Sequence, residues 1–101
     1  MSKYEIMFIV RPNVEEEKLT DARNKIQDVI NQRGGQITET NDMGRRRFAY
    51  VINHDQQKYH EGLYTVYQFE TTDASTLTEL DRVINIDDRI IRHLTINLDE
   101  K

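Results

Sequence analysis

The chain predicts an α+β fold in the order βαββαβ, a four-stranded antiparallel sheet with two helices on one face, forming a single domain over residues 1–101. Three observations carry that prediction. Apolar residues alternate in four segments and recur at helical spacing in two others, with glycine, proline or polar runs between them. Each helical segment has one apolar stripe that needs burial, and in 101 residues the sheet is the partner available to both. Right-handed crossovers then give a split βαβ arrangement with spatial strand order 4-1-3-2. One face of the sheet is left without a helix, so that face is either wet or belongs to a partner.

The first strand is expected over Tyr4–Val10, where Ile6, Phe8 and Val10 alternate with Glu5, Met7 and Ile9. Arg11-Pro12-Asn13 closes it, because proline has no N–H for the ladder and restricts the residue before it. Asn13 is placed to cap the helix that follows, with Glu15 to Glu17 near the positive end of its dipole. Leu19, Ala22, Ile26, Val29 and Ile30 form its buried stripe, and Gly34-Gly35 stops it.

Gln36 to Asn41 begins a second strand. Asp42-Met43-Gly44 interrupts it as a turn or bulge, and Arg45 to Asn53 continues it, with Phe48, Tyr50 and Ile52 on one face if the alternation is unbroken. The polar stretch His54–Gly62 reads as a flexible hairpin connection. Leu63 to Glu70 is the third strand, apolar on both alternations. Asp73 or Ser75 caps a second helix whose stripe is Leu77, Leu80, Val83 and Ile84. After the polar link Asn85–Arg89, Ile90 to Leu98 forms the last strand, with Leu94, Ile96 and Leu98 on one alternation.

Composition excludes several functions. With no cysteine there is no disulfide, no thiolate nucleophile and no thiolate-held zinc or iron–sulfur centre. His54, His60 and His93 are widely spaced and match no metal-ligand pattern, so no metal or cofactor is expected. Glu15-Glu16-Glu17 and Asp87-Asp88 read as helix-start charge and solvated link, without the apolar surroundings that turn a carboxyl into a catalytic acid. The opening residues Met1–Pro12 carry Lys3, Glu5 and Arg11 in place of a signal peptide's apolar stretch, and no apolar run reaches the roughly 18–20 residues that span a bilayer. The expectation is a soluble intracellular protein that is not an enzyme.

Against 18 acidic and 14 basic residues, a formal net charge of -4, the run Gly44-Arg45-Arg46-Arg47-Phe48-Ala49-Tyr50 stands out. Clustered arginines offer rigid donor forks to phosphate oxygens, and aromatic rings beside them can stack on bases. The plainer reading makes the arginines solvated strand residues paired with nearby acids and Phe48 a core residue. Lys3 and Tyr4 at the start of the first strand, with Arg89, Arg92 and His93 opening the last, are expected to form a second small basic area beside it, or an ordinary charged strand rim.

Taken in order, these pieces resemble the family of bacterial small-ribosomal-subunit protein six. The resemblance rests on Tyr4–Val10 followed by Arg11-Pro12, the helix ending in Gly34-Gly35, Gly44–Ile52, and Asp88-Arg89-Ile90-Ile91-Arg92-His93-Leu94. It implies a ferredoxin-like fold and a non-enzymatic, cytoplasmic, ribosome-associated role. It also implies binding to 16S ribosomal RNA, not DNA or membrane, in the platform of the small subunit, together with small-subunit protein eighteen. The residues it marks for RNA or partner contact are Lys3, Tyr4, Arg45, Arg46, Arg47, Tyr50, Arg92 and His93. Val51 stands where the family usually carries proline, and Phe48 where leucine is more usual. The rival reading is a homodimeric interaction or regulatory module of the same architecture that binds no RNA.

Overall fold

A computed structural model describes residues 2–54 and 56–99. The elements are β1 (Ser2–Val10), α1 (Glu16–Gln32), β2 (Gln36–His54), β3 (Gln57–Thr71), α2 (Ser75–Asn85) and β4 (Ile90–Asn97). The strands pair antiparallel in the order β2-β3-β1-β4, the order the crossover argument requires.

Alternation along β1 decides the two faces. Ile6, Phe8 and Val10 point toward the helices and are fully buried, joined by Tyr67 and Phe69 of β3, Ile26 and Ile30 of α1, and Leu80 and Ile84 of α2. This is the main core, and the helix stripes read from spacing supply its lid. Sequence alternation left the inward face of β3 open; the register settles it, since Phe8 lies opposite Thr65 and Tyr4 opposite Phe69.

Helix ends follow local chemistry with one departure. α1 closes in a Schellman motif, Gly35 N–H donating to the Ile30 carbonyl at 2.9 Å and Gly34 N–H to Asn31 at 3.2 Å. At its other end Glu15, not Asn13, occupies the cap position, and no side chain bonds the free N–H groups. Glu15 is extended and the helix begins at Glu16, which leaves Asn13 two residues ahead of the cap position. In α2 the acid is the effective cap: Asp73 Oδ1 accepts from the Ser75 N–H at 2.9 Å and from its hydroxyl, and Ala74 is already helical. Those bonds hold the Asp73 carboxyl below its ordinary range.

The stretch expected to be a flexible connection, His54–Gly62, is strand for most of its length. β3 starts at Gln57, and Ile52, Asn53 and His54 pair with Tyr59, Lys58 and Gln57. Asp55 lies outside the described residues. Tyr59 is the residue polarity concealed: it is 8 % exposed and anchors a second apolar cluster with Ile9 and Ile91.

Candidate functional site

The site grows from the distal part of the β2–β3 hairpin. Beyond Leu63, which pairs with Val10 at the end of β1, the hairpin continues as an arm. Between the pairs Arg47–Glu61 and Ile52–Tyr59, β2 advances five residues and β3 two, so three extra residues sit on β2. A bulge of this kind bends a strand and steepens its twist. The arm folds over the sheet face that lacks helices and reaches past the end of β1, where the His54 Nε2–H donates to the Asp88 carbonyl before β4 at 3.1 Å.

Beneath the arm, Ile9, Tyr59 and Ile91 are buried, with Phe48 and Tyr64 packed against them, the two rings 6.1 Å apart. Gly62 makes room for this. A Cβ there would stand 2.4 Å from Ile9 Cγ2 and 3.1 Å from the Phe48 ring, so the backbone approaches closely enough to require glycine. Phe48, expected as a core residue, is half-buried and packs against the small cluster on the uncovered face.

The bulge also corrects the expected alternation of Phe48, Tyr50 and Ile52. The extra residues break the period: Ile52 is buried, Phe48 is half-buried, and Tyr50 is 72 % exposed. Tyr50 lies at a groove of about 340 Å³ between the arm and β4, floored by Met7, Ile9 and Leu94 and bordered by Arg47 and Arg92. Met7 and Leu94 were not singled out as site residues; Leu94 was visible only as one step of an apolar alternation.

The three consecutive arginines separate into different roles. Arg45 donates to Glu61 Oε1 at 2.7 Å and to the Pro12 carbonyl at 3.3 Å, so it serves to tie β2 to the end of β1. Arg46 donates from Nε to the Met43 carbonyl at 3.2 Å, across a bulge at Met43 where Gly44 takes φ of +72° and its N–H is held by Asp42. Arg47 has no acidic partner among the described residues.

The expected basic area of Lys3, Tyr4, Arg89, Arg92 and His93 does not assemble. Antiparallel pairing sets Tyr4 opposite Asn97 and Ile9 opposite Arg92. Lys3 and Arg92 thus lie about six residues apart along β1, roughly 20 Å at strand rise. Lys3 reaches Glu70 instead, at 3.9 Å. Tyr4 faces the helices and stacks on Phe69 with centroids 5.5 Å apart. His93 also faces that way, its Nε2 2.8 Å from Asp81 Oδ1 of α2. Arg89 is held by Asp87 and Asp21, its side chain 12 % exposed. Burial raises the Asp87 carboxyl, but hydrogen bonds from the Arg89 guanidinium and N–H outweigh it and hold Asp87 below its ordinary range. Of this group, Arg92 joins Arg47 and Tyr50 at the groove, and His93, beside it in β4, also contributes to the lining.

The family model for ribosomal protein S6 matches residues 3–97. The chain belongs to the ribosomal protein S6 family. It is 43 % identical over 96 residues to small ribosomal subunit protein bS6 of Desulforamulus reducens, covering 95 % of this chain and 96 % of that one. Its fold matches the crystal structure of 30S ribosomal protein S6 from Thermotoga maritima with a TM-score of 0.85 at 37 % identity, covering 95 % of this chain and 86 % of that one. The ferredoxin-like architecture follows, as does a structural, non-enzymatic role in the small ribosomal subunit. Ribosomal RNA binding and a place in translation come with S6 membership.

Proposed function

We propose that the chain binds 16S ribosomal RNA in the platform of the small subunit as a joint footprint with small-subunit protein eighteen, in the bacterial cytoplasm. One observation carries the reading: the sheet face that neither helix covers presents Arg47 and Arg92 beside exposed apolar side chains, Leu94, Ile96 and Leu98. Guanidinium groups serve phosphates, and an apolar stripe serves a protein. A chain of net charge -4 is poorly suited to coat RNA by itself. Shared binding with a basic partner resolves that mismatch, because the partner brings the remaining positive charge.

Of the eight residues marked by the family resemblance, this reading gives direct contact to Arg46, Arg47, Tyr50 and Arg92, and a peripheral phosphate contact to Lys3. Arg45, Tyr4 and His93 act behind them, fixing the strands that carry the contact residues.

Affinity for a 16S platform-junction fragment, measured across a salt series with and without protein eighteen, tests the proposal. Tight binding is expected only with the partner, with affinity falling as salt rises. Equally strong binding by the isolated chain overturns the joint footprint. Absence of RNA binding with concentration-dependent dimerisation overturns the RNA reading in favour of a homodimeric module.

A further inference from the structure

The groove under the arm has a composition at odds with the rest of the chain. Among the described residues its lining contains no aspartate or glutamate, although the chain carries 18 acids to 14 bases. Arg47 and Arg92 border it without an acidic partner among the described residues, whereas Arg45 and Arg89 are each paired with carboxylates. Tyr50, 72 % exposed, stands at the same groove, and Met7 and Leu94, directly opposite one another in β1 and β4, supply an apolar floor.

From this we infer that the groove receives a single unstacked RNA nucleotide, its base against Tyr50 and the apolar floor, its flanking phosphates at Arg47 and Arg92. Every base offers a π-face to an aromatic ring, and guanidinium groups beside such a ring are placed for the phosphates on either side. An apolar protein segment fits the floor but leaves two guanidinium groups desolvated with no anion to meet them, which is costly. Charge complementarity therefore favours RNA in the groove. The exposed Ile96, further along β4, and Leu98, just past its end, remain outside it for protein contact. The inference rests on the RNA reading above and locates one contact within it.

The test uses the full chain with protein eighteen and the 16S platform-junction fragment. Tyr50→Ala is expected to weaken RNA binding about fivefold to a hundredfold, the range for losing one base–aromatic stack, while Tyr50→Phe stays close to the parent. Arg47→Ala and Arg92→Ala are each expected to lower the slope of log affinity against log salt by about 0.7. Unchanged affinity and slope in Tyr50→Ala and Arg92→Ala, with the parent chain still binding RNA, overturn the inference and leave the function standing. Loss of protein-eighteen binding in those variants when RNA is omitted assigns the groove to the protein and also overturns it. If the parent complex binds no RNA, the proposed function itself has failed.

Discussion

Phe8 and Ile9 are neighbours in β1 that face opposite ways, and they enter clusters of unlike construction. Phe8 is sealed under both helices among fully buried side chains, packing at an angle on Tyr67 with centroids 5.5 Å apart. Ile9 is covered by a bent hairpin arm whose cluster has three buried members. A similar contrast separates Arg89 and Arg92, three residues apart: the first is locked to Asp87 and Asp21, the second borders a groove with no carboxylate among the described residues. One sheet thus divides its work. The helix side holds the fold together, and the arm side keeps polar and aromatic groups available.

The largest effect should come from cutting the helix-side cluster. Phe8→Ala is expected to cost about 3–5 kcal/mol in urea unfolding, a large share of the roughly 5–15 kcal/mol a domain of this kind possesses. Ile9→Ala should cost less, about 2 kcal/mol, the low end for removing a buried isoleucine, because the arm can settle into the space. Amide exchange should rise across residues 57–61 in Ile9→Ala ahead of the β1 and β3 core. Equal costs in the two variants, with uniform exchange, would mean that both clusters are one core.

The ion-pair network on the helix side gives an intermediate effect with a pH signature. Asp87→Asn should destabilise by about 1–3 kcal/mol at neutral pH, since Arg89 keeps Asp21 and the Lys18 carbonyl but loses its most buried acceptor. The Asp87 carboxyl is held low in the folded chain. Its contribution is therefore complete above its unfolded value of about 3.9 and is lost as pH falls through the lower folded value. Urea midpoints should show the parent losing this increment in acid and Asp87→Asn lacking that part of the slope. An unchanged acid limb in the variant would remove Asp87 from the account.

Much of the helix side was legible in the sequence because its periods are regular. Ile6, Phe8 and Val10 alternate, and Ala22, Ile26, Val29 and Ile30 keep helical spacing, so the buried sets and the strand order followed. The arm was not legible, for two physical reasons. The bulge after Arg47 inserts three residues and resets the alternation, and Tyr59 sits in polar surroundings that conceal a buried ring. The arginine run was conspicuous, yet adjacency in sequence did not predict shared work. Arg45 is tied to Glu61 and Pro12, while Arg47 meets the distant Arg92 at the groove. The Lys3–Arg92 grouping failed on direction, because an antiparallel neighbour sets the start of one strand beside the end of the other.

The smallest effect is the most selective. His54 joins the tip of the arm to Asp88 through one exposed hydrogen bond, worth about 0.5 kcal/mol net at the low end for such bonds. His54→Ala should barely shift the urea midpoint, since neither buried cluster loses an atom. It should instead loosen the arm locally, raising amide exchange at Gln57, Lys58 and Tyr59 while Ile6, Phe8 and Phe69 stay protected. If the nucleotide groove depends on the arm being held down, the same variant should weaken RNA binding more than it weakens the fold, and Arg92→Ala added to it should do less than it does alone. Additive losses would show that the cluster under Phe48 and Tyr59 shapes the groove without help from the tip.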